Sequence, residues 1–235
     1  EDAPNPLLSI FLLTGMGYVF VFFNAMRQMM GCAILLYSLR YVQRRKLLPF
    51  FICVAIATGF HISCIVFVPV YWISGIRIRP MWAFILTAIV TVLSVVIAEL
   101  VLYMVGMTKY AVYLQSVFDA GKTAYVMLAM NLLLLIFESF FYQNNAKYRM
   151  YYNLQLIALW TTIFSGRIVL MLRLLWVFGL PSVISLPLAM EGIENQKNRK
   201  LIASVICVLY VMYFIITVGI NNSNTVLPYQ TIFSR

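Results

Sequence analysis

Read from the amino terminus, the chain alternates long apolar runs with short polar breaks. The runs cover 7–23, 29–43, 47–74, 81–104, 123–142, 151–166, 168–190 and 201–220. They are continuous and rich in Leu, Met and Ala, which predicts α-helices and not the alternating strands of a barrel. A helix crossing the bilayer needs about 20 apolar residues, which leaves room for roughly eight crossings. The expected fold is all-α, a polytopic transmembrane helix bundle forming a single integral-membrane domain over residues 1–235. No internal repeat or low-complexity linker divides it.

Two runs break the rhythm. Residues 47–74 are long for one span and contain Gly59-Phe60-His61, while 151–190 is interrupted at Gly166-Arg167 and again at Gly179-Leu180-Pro181. Charge arbitrates the first. If 47–74 goes up and returns as a short hairpin or re-entrant loop, the clusters Arg40/Arg44/Arg45/Lys46, Arg77/Arg79, Lys147/Arg149 and Lys197/Arg199/Lys200 share one side, as the positive-inside rule favours. A single crossing would move the last three clusters to the opposite face. A re-entrant backbone is tolerated where protein or water covers it. Broken helices are expected in 151–190.

Composition narrows the class. Hydrophobic residues make up 63% and charged residues 10%, with a mean hydropathy of +0.93. Soluble domains carry about a quarter charged residues, so a soluble domain is excluded, and so is disorder. The net charge of +10 comes from basic clusters between apolar runs, the pattern of cytoplasmic anchoring; no nucleic-acid partner is expected. Cys32, Cys53, Cys64 and Cys207 lie inside apolar segments without metal or redox spacing and read as packing residues. The chain opens Glu1-Asp2-Ala3-Pro4, and its first run is too long and wrongly flanked for a signal peptide, so a preceding N-terminal portion is expected.

With that sidedness, Asn24, Arg27, Gln28, His61, Lys109, Tyr110, Tyr113, Arg167 and Pro228-Tyr229 fall near the extracytoplasmic ends of their segments. The cytoplasmic side carries little beyond basic loops. Asn24 is a candidate N-cap for the next helix. Capping does not explain Arg27, because a cation in a first turn opposes the helix dipole; it reads as an anion ligand against the plainer role of an interfacial anchor. Arg167 and Arg173 stand in a stretch of 40 residues without another charge. Intramembrane arginines are functional candidates by default, yet six residues place these two about 240° apart on a regular helix. They can meet one anion across a helix break; otherwise one of them pairs with an acid, for which Glu99 is better placed than Glu138. His61, the single histidine, sits at the proposed hairpin turn, where it is either a hydrogen-bonded structural residue or a base for a hydroxyl. Lys109, Tyr110 and Tyr113 open a loop with Gln115, Asp119 and Lys122, as belt residues or as a sugar-binding surface. With Asp119 and Glu99 alone on that side, a two-carboxylate glycosidase mechanism is poorly supported.

Together these residues resemble the EpsG-type family of bacterial exopolysaccharide polymerases, a Wzy-like branch. The likeness lies in order: Asn24-x-x-Arg27-Gln28, then Arg44-Arg45-Lys46, His61-x-Ser63 with Pro69, Tyr110-x-x-Tyr113, Arg167, Arg173 and Pro228-Tyr229. Cys64 and Trp176 depart from it, standing where a small residue and a tyrosine are usual. The chain resembles the C-terminal two-thirds of such proteins. The resemblance implies a metal-independent glycosyltransferase, with no cofactor, in the bacterial cytoplasmic (inner) membrane. It would join lipid-linked repeats of exopolysaccharide or capsule at the outer leaflet, each carried on a diphosphate such as undecaprenyl diphosphate. It implies His61, Arg27 and Arg167 as catalytic residues, and Asn24, Gln28, Arg173, Lys109, Tyr110, Tyr113 and Tyr229 as substrate-binding. The expected partners are the lipid-linked oligosaccharide, membrane lipid, and polysaccharide synthesis and export proteins. Two other classes stay open: a flippase for the same lipid-linked sugar, and a noncatalytic subunit whose arginines bond between helices.

Overall fold

A computed structural model describes residues 3–107, 120–143, 145–168 and 171–222. Among these residues the fold is all-helical. In chain order the helices are α1 (Pro6–Gly15), α2 (Tyr18–Asn24), α3 (Met26–Gln43), α4 (Leu47–Phe60), a 3₁₀ turn (Ile62–Phe67), α5 (Val70–Ile73), α6 (Pro80–Gly106), α7 (Ala120–Phe140), α8 (Ala146–Ser165), α9 (Met171–Gly179), α10 (Ser182–Met190) and α11 (Gln196–Phe214), which runs on as a π turn (Ile215–Ile220).

Among the described residues, few single helices are by length and composition sufficient to cross a membrane. Pro80–Val101 and Gln196–Ile220 are each long and apolar enough to cross a membrane. Two bent pairs raise the total to four if each is one span: α1 with α2, bent by 53°, and α9 with α10, bent by 42°. Gly17 makes the first bend, at φ 81°, a conformation that costs a residue with a Cβ about 1–2 kcal/mol. Pro181 opens α10 at the second, where its missing N–H breaks no bond of the ladder. The 14 residues of α4 extend about 21 Å at 1.5 Å each, short of a hydrocarbon core of about 30 Å. On α6 the apolar side chains face outward, Val92 being 72% and Val96 57% exposed, which is the surface a helix presents to lipid.

Lipid tails are as apolar as leucine, so polar contacts and close packing must hold such helices together; measured interhelical hydrogen bonds average about 0.6 kcal/mol. The structure carries many. Trp160 Nε1 donates to Thr87 Oγ1 at 3.1 Å and, just past the end of α8, Arg167 Nη1 reaches Ser94 Oγ at 3.4 Å, so the C-terminal end of α8 runs parallel to α6. Gln155 Nε2 donates to Asn131 Oδ1 at 3.1 Å between α8 and α7, and Ser185 Oγ donates to the fully buried Glu138 at 2.5 Å between α10 and α7.

The segment 47–74 reverses as the charge pattern predicts. Helix α4 stops at Phe60, and His61 is extended (φ −153°, ψ 125°). The returning limb then lies against the first: the Phe50 ring is 5.5 Å from Tyr71 and 6.4 Å from Phe67, and Phe51 is 6.1 Å from Trp72. At the base, Arg45 ends α3 in the left-handed region (φ 53°) where glycine is usual, with Lys46 N–H donating to Tyr41 O at 2.8 Å. A bond from Arg45 Nη1 to Tyr71 O, at 3.1 Å, ties that strained corner to the returning limb. Asn153 of α8 secures the same end, its Nδ2 donating to both Ile73 O and Ile76 O at 2.9 Å. Phe67 stacks on Phe178 at 6.0 Å and joins the hairpin to α9.

Candidate functional site

The tip of the hairpin meets the first turns of two helices. Helix α3 approaches closely because residue 31 is glycine: a Cβ there would stand 2.6 Å from Cys64 Sγ and 3.1 Å from Ala57 O, one carried by each limb of the hairpin. Helix α9 is tied to α3 by Gln28, whose Nε2 donates to Arg173 O at 2.7 Å across 145 residues of sequence. These two constraints bring Arg27, Arg173 and His61 to one end of the bundle.

There Arg173 Nη1 lies 3.4 Å from His61 Nε2. On the ring's other edge, His61 Nδ1 is 2.7 Å from Ser63 Oγ and 3.2 Å from the Ser63 amide nitrogen. The imidazole is half-buried, whereas both guanidiniums are exposed. Partial burial, and then the charges of Arg173 and Arg27, hold the imidazole below its usual titration range. His61 is the connecting residue between α4 and the 3₁₀ turn. Arg27 is the second residue of α3 and Arg173 the third of α9. Each cation stands in a first turn, against the helix dipole, at a cost of about 0.3–1 kcal/mol that an anion placed between them would reverse. Two arginines and an imidazole therefore gather at one end of the bundle beside the first turns of α3 and α9, a concentration of positive charge that attracts an anion.

The other residues singled out by the sequence fall in several places. Gln28 is 2% exposed and its amide is bonded to the α9 backbone, so it lies beneath the site and positions Arg173. Asn24 is not the cap of α3: α2 continues through it, with Ala25 N–H still bonded to Val21 O at 2.8 Å, and Ala25 forms the break without a side-chain cap. The helix is broken between Arg167 and Arg173, α8 ending at Ser165 and α9 starting at Met171. Arg167 turns to Ser94 on α6 and, among the described residues, makes no ion pair with Glu99. Lys109, Tyr110, Tyr113 and Tyr229 lie outside the described residues, as do Gln115, Asp119 and Pro228.

Ser63 was visible in the sequence as part of His61-x-Ser63, without a role; two residues after a helix break is the spacing at which a side chain reaches back to the breaking residue. The function of Gln28 had no such local signal, because its partner is on a distant helix. The opposite end of the bundle is also less plain than its basic loops suggest. A cavity of about 340 Å³ opens there between the ends of α1, α10 and α11, lined by Asn5, Leu8, Met190, Glu191, Arg199 and Lys200.

No curated protein and no solved structure matches the chain significantly. The sequence profile of one family does match, over residues 1–231 and therefore essentially the whole chain. With its all-helical, membrane-type fold, this chain belongs to the EpsG family.

Proposed function

We propose that this protein is a polysaccharide polymerase of the bacterial cytoplasmic membrane, acting at the outer leaflet on glycans carried by a polyprenyl diphosphate. Membership in the EpsG family supports an exopolysaccharide polymerase role. The single observation that carries the chemistry is the imidazole of His61 set 3.4 Å from the guanidinium of Arg173.

In this reading Arg27 and Arg173 hold the diphosphate of the donor, with the first-turn amides of α3 and α9 behind them. The acceptor hydroxyl oxygen attacks the anomeric carbon of the donor glycan. Its proton passes to His61, the bond from the anomeric carbon to the diphosphate oxygen breaks, and the departing polyprenyl diphosphate keeps the electron pair. Charge grows on that oxygen as the bond lengthens, so fixed guanidiniums stabilise the transition state more than the ground state. Arg167 stands one helix break away, on the α6 side, and serves the second lipid-linked chain.

The two bent helix pairs also suit a transporter of the same lipid-linked sugar, since broken helices line substrate pathways. Purified protein reconstituted in liposomes with lipid-diphosphate-linked repeat separates the two readings. A ladder of lengthening glycan, lost on His61→Ala, is the expected result. Movement of the lipid-linked repeat between leaflets without any ladder would overturn the polymerase reading.

A further inference from the structure

His61 is held between groups that do not treat its two ring nitrogens alike. A guanidinium donates and never accepts, so Arg173 Nη1, 3.4 Å away, requires a lone pair on Nε2. The Ser63 hydroxyl, 2.7 Å from Nδ1, either donates or accepts. The Ser63 amide, 3.2 Å from the same Nδ1, donates only. Every arrangement of one ring proton therefore leaves one contact unmet, and the choice turns on which loss is smaller.

With the proton on Nε2, the hydroxyl and the amide share one lone pair on Nδ1, and the ring N–H faces a cationic N–H. With the proton on Nδ1, Arg173 donates to Nε2, and Nδ1–H donates to Ser63 Oγ over the shortest of the three distances. The loss is then the Ser63 amide, whose neutral N–H faces the ring N–H at 3.2 Å instead of donating to it. Facing a ring N–H with a guanidinium sets two positive ends together with a full charge behind one of them, whereas facing it with the amide involves no net charge, so the second arrangement costs less. Both protons together would set an imidazolium against two arginines and are the worst case.

We propose that Ser63 is a positioning residue that fixes neutral His61 as the Nδ1–H tautomer, leaving the Nε2 lone pair directed at the Arg173 side as the nitrogen that receives a proton. The tautomer follows from the contacts alone. Its chemical use rests on the reading of His61 as the base, with the acceptor hydroxyl taking the place of Arg173 at Nε2 once a diphosphate claims the guanidinium.

The chain has one histidine, so selective ¹⁵N labelling of histidine in the intact detergent-solubilised protein gives the two ring resonances without assignment work. Wild type is expected to show a protonated Nδ1 and a lone-pair Nε2. In Ser63→Ala the tautomer ratio should move toward Nε2–H by about five-fold, the worth of one neutral hydrogen bond; Ser63→Thr, which keeps the hydroxyl, should restore it. In Arg173→Gln the preference for a bare Nε2 should weaken as well. A wild-type spectrum dominated by Nε2–H would overturn the proposal even if Ser63→Ala did not fold, and so would an unchanged ratio in folded Ser63→Ala. The spectrum is recorded without substrate. A protein with the Nδ1–H tautomer whose His61→Ala variant still polymerises would keep this inference and sink the polymerase chemistry; the reverse pair of results would do the opposite.

Discussion

Arg173 Nη1 and His61 Nε2 are 3.4 Å apart although 112 residues separate them in the chain. The pair joins a group that is always charged to one that is not, and the contact survives because the imidazole offers a lone pair. A protonated histidine would be expelled from it.

Removing the charge should therefore act on rate before stability. Arg173→Gln is expected to lower polymerisation by about 10²-fold, the usual loss when one preorganised donor to a developing oxyanion is deleted. Arg173→Lys should recover part of it, since an ammonium supplies charge without the planar fork. Product ladders compared at equal membrane protein levels measure both. Wild-type activity in Arg173→Gln would show that the guanidinium is not used.

The pH dependence follows with a definite sign. Burial and the two arginines lower the His61 titration below its usual value of about 6.5. The base is thus ready across neutral pH, and activity should be flat from about pH 6.5 upward and fall in acid as the imidazole gains a proton. The same depression makes the folded state lose stability as pH falls through the folded-state titration, because the unfolded chain binds the proton more readily. A rate that rises with pH through 7 and above would contradict this assignment.

Gly31 controls how near α3 comes to the hairpin. With 2.6 Å to Cys64 Sγ and 3.1 Å to a backbone carbonyl, Gly31→Val has no room. Overpacking of this kind costs about 1–3 kcal/mol, read as a lower unfolding temperature in detergent. Gly31→Ala already meets Cys64 Sγ, and pairing it with Cys64→Ala removes that nearer obstacle and should recover part of the Gly31→Ala loss, whereas equal damage in Gly31→Ala and the double variant would place the clash elsewhere.

Asn153 is buried, with its amide nitrogen shared between two carbonyls at the end of the hairpin. Asn153→Leu removes both bonds, leaving Ile73 O with the Ile76 amide and Ile76 O open to solvent, a loss of about 0.5–1.5 kcal/mol for each bond. The loop 73–79 should become more open to proteolysis in reconstituted membranes, and an unaltered cleavage pattern would show that the two bonds do not hold it.

Diphosphate binding is testable apart from catalysis. Inorganic pyrophosphate should inhibit polymerisation, with inhibition weakened in Arg27→Gln and at high salt, where exposed charges are screened beyond about 10 Å at 0.1 M. Equal inhibition in wild type and Arg27→Gln would remove Arg27 from the site.

Much of the architecture could be read before any coordinates. A backbone in lipid must satisfy its own hydrogen bonds, so continuous apolar runs become helices, and the positions that interrupt them become breaks: His61 after Gly59, the stretch after Gly166, and Pro181. Basic clusters required the segment 47–74 to return, and the Phe50 and Tyr71 rings in contact show that it does. Local rules were weaker at the edges. Asn24 has the side chain of a cap, yet α2 runs one residue further than the polar pattern suggests.

The membership of the site was a matter of tertiary structure. Hydropathy marks an arginine as unusual without saying which way its helix turns, and two arginines 240° apart on an ideal helix look alike until the chain breaks between them. The break sends Arg167 to Ser94 and leaves Arg173 on the strip of α9 that Gln28 fastens to α3. A bond spanning 145 residues, and a close approach allowed by the missing side chain of Gly31, carry no local pattern in the chain. They arise only when separate helices compete for the same neighbours, and for that reason the sequence by itself determined the helices and their breaks, while packing decided which charged groups face one another.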